Sequence, residues 1–246
     1  IFIGQGIGML GNAATNIAFP LSTTCTALSL LLGIGSATNF SLHLGAGEKE
    51  KSARYAGNGI FLMAVFGLCL FLATTLFLTP MLKFFGATTE VLPYAKQYTR
   101  ITAFGFPFLI ANTGMSKLIL ADGSPRYSMI SMLIGAIVNT ILDPIFIFGL
   151  HLGMTGAALA TLFSQAVSAI LVIRALMKPE EMYQLEPKKI RLHRFLLFSI
   201  LTIGLPAGFQ SMMYNIANII IQSSLNHLGT DAMAAYTAFG KMDALY

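Results

Sequence analysis

Apolar residues run in long blocks along this chain, and polar residues collect in short clusters between them. A helix crosses a bilayer in about 20 apolar residues. By that measure six blocks predict membrane-spanning helices, at 20–44, 55–82, 94–120, 127–150, 154–177 and 195–228. A seventh opens near 231 and is cut at 246. A helix satisfies its own backbone in lipid. The alternation of a membrane β-barrel is missing. The predicted fold is therefore all-α, a polytopic transmembrane helix bundle.

Proline and glycine punctuate the blocks at Gly105-Phe-Pro107, Asp143-Pro144 and Gly204-Leu-Pro206. Inside membrane helices such residues predict kinks, here at Pro107, Pro144 and Pro206, or close helix approach. The longest polar connection carries Pro179, Pro187 and mixed charge, as a linker between two bundles would. This divides the chain into an N-terminal bundle (1–177), a linker (178–194) and the start of a second bundle (195–246). The stretch 219–232 echoes 1–14 with a shared Leu-Gly, and transporters are often built from such repeats. The chain begins at Ile1 and stops inside an apolar run, so it reads as a fragment of a longer membrane protein.

Composition agrees. The chain is 55% hydrophobic and 10% charged, with mean hydropathy +0.73; soluble domains carry roughly 25% charged residues. The net charge of +5 comes from asymmetric loops and needs no nucleic-acid partner. Lys49, Lys51, Arg54, Lys117, Arg126, Arg174, Lys178, Lys188, Lys189, Arg191 and Arg194 all fall on one side of the predicted membrane. The positive-inside rule makes loops 45–54, 117–126 and 174–194 cytoplasmic. Tyr55, Tyr94, Tyr98, Tyr127 and Tyr183 are the expected interfacial anchors. Cys25 and Cys69 lie in apolar stretches and suggest neither a disulfide framework nor a zinc site.

Asp143 is the one charge between Tyr127 and Leu150. A carboxylate near the middle of such a helix costs about 2.5–3.5 kcal/mol on insertion scales. A bound cation, a bound proton or a buried partner has to offset that cost. Asn139 lies four residues earlier, on the same helix face. Pro144 cannot donate to Thr140 and should bend the helix there.

Other chemistry is poorly represented. Gly6-Ile-Gly8-Met-Leu-Gly11 matches the dinucleotide string without a βαβ unit around it. There is no Gly-x-x-x-x-Gly-Lys-Ser/Thr and no His-Glu-x-x-His. Asn39-Phe-Ser41 is a glycosylation sequon inside a span. Met129, Met132, Met212 and Met213 either line an adaptable apolar surface, fill packing gaps or face lipid. Gln210, Met212, Tyr214 and Asn215 are the expected substrate contacts on the sixth span.

Several segments resemble the multidrug and toxic compound extrusion (MATE) family. They are Gly33-Ile-Gly-Ser-Ala-Thr-Asn-Phe-Ser with Leu44-Gly-Ala-Gly-Glu-Lys, Phe84-Phe-Gly-Ala-Thr, Ala95-Lys-Gln-Tyr, Ala121-Asp-Gly-Ser-Pro-Arg, Asn139-Thr-Ile-Leu-Asp-Pro, Gly156-Ala-Ala-Leu-Ala-Thr and Gly204-Leu-Pro-Ala-Gly-Phe-Gln-Ser. The likeness covers nearly the whole chain and maps its six spans onto family helices two to seven. It implies a secondary antiporter of the plasma membrane, monomeric and without cofactor. Such a protein exports amphipathic organic cations against Na⁺ or H⁺. It also brings Thr161 beside Asp143 and Asn139, giving a carboxylate, an amide oxygen and a hydroxyl for a cation; no other metal is expected. The family's first helix, which normally brings a further acid, is missing, and Leu120 stands where the family often has Arg.

Competing readings are weaker. A lipid-precursor flippase should line its cavity with bases, and no span has one at mid-depth. An intramembrane enzyme needs paired acids with a metal, or a Ser/His or His-Glu arrangement. A non-transporting scaffold would tolerate Asp143→Leu.

Overall fold

A computed structural model of the chain describes residues 3, 8–177 and 190–228. They form α1 (Met9–Gly45), α2 (Lys49–Leu76), α3 (Leu78–Phe84), α4 (Leu92–Thr102), α5 (Phe106–Ala121), α6 (Pro125–Pro144), α7 (Gly153–Leu176) and α8 (Arg194–Leu228). A 3₁₀ turn at Ala103–Gly105 joins α4 to α5, and a π-helical turn at Ile145–Gly149 extends α6. Five continuous helical stretches among these residues are long and apolar enough to cross a membrane; the apolar part of α8 described is Arg194–Gln210. The all-α expectation holds.

The span boundaries need correction, and proline explains most of it. The first helix begins at Met9 rather than near 20, and Pro20 lies inside it. The second span is two helices. Proline cannot donate to the carbonyl four residues back, and its ring crowds that carbonyl. For Pro80 that carbonyl belongs to Leu76, the last residue of α2, and α3 starts afresh after Phe77. Pro107 acts the same way on Ala103, whose carbonyl is taken by the Phe106 N–H in a 3₁₀ bond. After Pro144 the helix widens instead, and the Leu150 N–H bonds the Ile145 carbonyl at 2.9 Å.

Residues 1–207 form one compact unit, and residues 208–246 a second. Contacts thus thin inside α8, beyond the 178–194 connection, of which residues 178–189 lie outside the described ones. Within the first unit α1 packs on α2 and α5, α5 on α7, α4 on α7 and α1, and α6 on α7. The main core gathers Leu32, Phe40, Met63, Ile110, Leu118 and Ile200; a smaller one joins Ala14, Leu82, Val91, Ala95 and Met154. The second unit, as described, is the continuation of α8 to Leu228.

Lipid offers no hydrophobic drive between helices, so close backbone approach has to hold the bundle. Gly33 and Gly114 supply it where α1 crosses α5: a Cβ on Gly33 would lie 2.8 Å from the Gly114 Cα. Met63 of α2 fills the other side, its sulfur 2.6 Å from where a Gly114 Cβ would be.

Two of the tyrosines expected at the interface pack against protein groups. Tyr55 is 7% exposed and stacks on His43 with ring centroids 5.0 Å apart. Tyr98 turns into the bundle, toward Thr161. Asn39 is buried, so the sequon is out of reach of glycosylation.

At the turn between α1 and α2, Glu48 accepts from Lys51 at 2.8 Å and pairs with His43 at 2.7 Å. The Lys51 bond, then the His43 bond, hold the Glu48 carboxyl below its ordinary range. A lowered carboxyl stabilises the fold above its unfolded pKa, and that contribution is lost as pH falls through the folded value.

Both the glycine crossing and the Glu48 turn can be tested by substitution. Gly33→Ala should cost about 1–3 kcal/mol by overpacking, read as a lower unfolding temperature in detergent. Gly45→Ala, which meets open space, should not lower it. Glu48→Gln should lower the unfolding temperature at neutral pH. The difference from the parent should vanish in acid, below the carboxyl's depressed pKa, where the parent's Glu48 is itself neutral.

Candidate functional site: a polar groove between three helices

A cavity of about 280 Å³ opens between α5, α6 and α7. Helical periodicity builds it. Met132, Gly135, Ala136 and Asn139 form one stripe of α6, and Thr161, Ser164, Gln165 and Ser168 one stripe of α7. Asn112 of α5 completes the lining.

The two stripes meet along a seam of small residues. Gly135 lies against Ser168, whose Oγ donates to the Ser131 carbonyl at 3.2 Å. Farther along, a Cβ on Gly156 would lie 2.8 Å from the Phe146 carbonyl carbon. Serine and threonine hydroxyls otherwise return to their own helix. Thr161 donates to Ala157 at 3.0 Å and Ser164 to Thr161 at 2.8 Å. That leaves the Thr161 hydroxyl lone pairs available to a donor or a cation.

Asn139 and Thr161, expected from sequence, therefore line one groove from opposite walls. Asp143 sits one helical turn beyond Asn139, half-buried. Tyr98 of α4 links them, reaching the Thr161 side chain and lying in the field of the Asp143 carboxylate. A turn away, Gln97 donates to the Thr155 hydroxyl at 2.6 Å and fixes α4 against α7.

Sequence reasoning missed Tyr98, Asn112, Ser164, Gln165 and Ser168 as site residues. The spacing of 161, 164, 165 and 168 was a readable signal for one face. Tyr98 carried none, because a lone tyrosine near a helix end also fits a membrane interface. Two buried amide oxygens border the groove without a hydrogen-bond partner, Asn112 Oδ1 and Gln165 Oε1. Gly105 makes room for the Gln165 amide; a Cβ there would collide with it.

The expected substrate contacts lie in the second unit. Gln210 and Met212 are exposed; the side chains of Tyr214 and Asn215 lie outside those described. The first-unit groove is built without all four. Met129, Met132, Met212 and Met213 are each more than half exposed, so they fill no packing gaps. Among the described residues no three His, Cys, Asp or Glu side chains converge on a metal. The oxygens of Asn139, Thr161 and Asp143 are hard donors, the type that suits Na⁺.

An ionisable residue inside a multi-pass membrane bundle marks a candidate functional site, and here a groove lined by polar oxygens lies one helical turn from it. The MatE family model matches residues 1–145, and the chain belongs to this family of MATE transporters. The multidrug export protein MepA of Staphylococcus aureus (strain NCTC 8325 / PS 47) is 31% identical over 224 residues, covering 91% of this chain and 50% of the relative. MepA of Staphylococcus haemolyticus (strain JCSC1435) is 31% identical over 234 residues, covering 94% and 52%. An inward-facing multidrug resistance MATE transporter of the MOP superfamily superposes with TM-score 0.83 at 26% identity, covering 99% of this chain and 56% of that one. The crystal structure of a MATE transporter in the bent conformation gives 0.85 at 26% identity, covering 99% and 55%. The chain spans about half the length of these relatives. It is a multi-pass plasma-membrane protein.

If the groove beside Asp143 holds the coupling cation proposed below, Tyr98→Phe should weaken cation binding about tenfold, equivalent to ~1.4 kcal/mol. The full-length protein should keep its unfolding temperature. Direct binding of ²²Na⁺, or proton release on Na⁺ addition, reads the change.

Proposed function

We propose that the protein containing this chain is a cation-coupled antiporter. It exports amphipathic organic cations in exchange for Na⁺ or H⁺. The observation that supports this reading is that Asn139 and Thr161 line one groove, with Tyr98 reaching Thr161 and Asp143 one helical turn beyond Asn139. Each contributes oxygen, and a carboxylate there needs a cation or a proton to offset its transfer from water.

The chemistry follows from competition for one charge. Asp143 holds either a coupling cation, with Asn139 and Thr161 as neutral oxygen ligands, or a proton shared with its neighbours. A cationic cargo in the adjoining groove competes electrostatically with the coupling ion for that carboxylate. Two cations a few ångströms apart repel by several kcal/mol in a medium of low dielectric. Loading one therefore favours release of the other, which is the requirement of antiport. Residues 1–177 are read as most of the first lobe, 178–194 as the cytoplasmic linker and 195–246 as the opening of the second lobe, with Gln210, Met212, Tyr214 and Asn215 as its contribution to cargo binding. The relatives named as multidrug export proteins support the cargo class. A lipid-precursor flippase is less well supported, because its pyrophosphate needs bases and the groove lining carries none.

The test is efflux of a fluorescent organic cation from proteoliposomes containing the full-length protein. Asp143→Asn is expected to abolish gradient-driven efflux while the protein still folds and inserts. Whichever gradient drives the parent names the coupling ion. Equal transport by parent and variant would mean that coupling lies elsewhere.

A further inference from the structure

We infer that two buried asparagines, Asn39 and Asn58, latch the cytoplasmic start of α8 to α1 and α2, and that this latch opens and closes during transport. The opening step rests on the antiporter reading above; the latch itself rests on geometry alone.

Asn58 is fully buried on α2. Its Nδ2 donates to the His193 carbonyl at 3.3 Å, and its Oδ1 accepts the His193 N–H at 3.2 Å. One carboxamide thus grips both main-chain groups of one residue. That residue starts α8: the His193 carbonyl also accepts from Leu196 and Leu197 at 3.0 and 3.1 Å. Asn39 of α1, 6% exposed, holds the next turn. Its Nδ2 donates to the Gly35 carbonyl at 2.8 Å and reaches the Ser199 carbonyl at 3.4 Å. Two glycines bring the helices together. Gly35 lies under the Ile200 carbonyl, and Gly204 under the Leu31 carbonyl.

A permanent seat does not need this chemistry. Replacing both partners of a buried hydrogen bond by apolar groups is often neutral or stabilising. Buried carboxamides suit a contact that must be specific when closed and soluble when open. On separation they and the freed backbone groups of His193 take water, whereas leucines would not. The bonds to His193 and Ser199 span 3.2–3.4 Å, the long end of the N–H···O range. No ion pair among the described residues reinforces them; those that occur involve Glu48 and Glu50. The latch lies at the end of the bundle that carries Lys49, Lys51, Arg54, Arg191 and Arg194, which is the cytoplasmic end.

The rest of α8 is built differently. The first compact unit ends at Ala207, and Pro206 stands there between Gly204 and Gly208. Proline leaves the Thr202 carbonyl without its helical donor, a recognised cause of bending. The helix is therefore fastened over its first three turns and weakened just beyond them.

The test uses the full-length protein with its native cysteines replaced. Asn58→Cys and His193→Cys are bridged by a short bis-methanethiosulfonate. Bridging should cut gradient-driven efflux about tenfold or more if lobe movement needs this contact open, and dithiothreitol should restore it. Efflux at the unbridged rate would overturn the proposal. A second measurement needs no cargo. Ser199→Cys alone is labelled by a membrane-impermeant maleimide from the cytoplasmic side, with and without a Na⁺ or H⁺ gradient. A rate that shifts about fivefold or more between conditions supports a latch that opens; an unchanged rate means a fixed seat and sinks it. If the parent exports no organic cation, the antiporter reading fails while the labelling result still decides the latch.

Discussion

Lipid cannot hydrogen-bond, and that one constraint organises the whole chain. Every polar group placed among the acyl chains must find its partner inside the protein. The backbone meets the demand by being helical. Hydroxyls mostly meet it by folding back onto the same helix, as Thr23, Thr24, Ser29, Ser36, Thr75, Ser131 and Thr140 do. Such bonds are local and carry no information about tertiary structure. The informative groups are those whose needs their own helix cannot meet: Asp143, the Asn112 and Gln165 amides, and the two asparagines that reach across to α8.

Small residues answer the second problem, cohesion without a hydrophobic drive. Gly33 against Gly114, Gly135 against Ser168, and Gly35 under Ile200 each remove a Cβ where two helices would otherwise collide. These notches set the register of the bundle. Register in turn decides that the stripe of α6 holding Asn139 faces the stripe of α7 holding Thr161. The groove is thus a by-product of close packing. Three helices that touch along only part of their length leave a polar gap where the contact ends.

The apolar blocks made the helices legible, because a membrane span is an unambiguous pattern. Asp143 was equally legible as an exception to that pattern, and Asn139 followed from one turn of helix geometry. The breaks were less so. Pro107 and Pro144 announced some irregularity, yet only the structure distinguishes a 3₁₀ turn after Thr102 from a π turn after Pro144. The difference depends on which neighbour captures the stranded carbonyl. Pro80 hid the end of α2 because the apolar run continued through it. The contacts of Tyr98 and Asn58 could not be read at all. Each depends on a partner far away along the chain, Thr161 for Tyr98 and His193 for Asn58, and no local pattern encodes such a pairing.

The polar groove and the proposed latch share one mechanical frame. The groove is walled by α5, α6 and α7, the latch by α1 and α2, and α5 touches both α1 and α7. At the Gly33–Gly114 crossing of α1 and α5, backbone lies against backbone with no Cβ between the helices. On the antiporter reading proposed above, a small change of packing at α6 and α7 on cation exchange at Asp143 would pass through α5 to α1, the helix that carries Asn39. Close-packed interfaces shift between discrete arrangements more readily than they deform continuously. The ion exchange proposed at Asp143 and the proposed latch, with its modest hydrogen bonds, are then matched in scale. Neither asks the bundle for more than a few kcal/mol, the range within which ligand binding moves a conformational equilibrium.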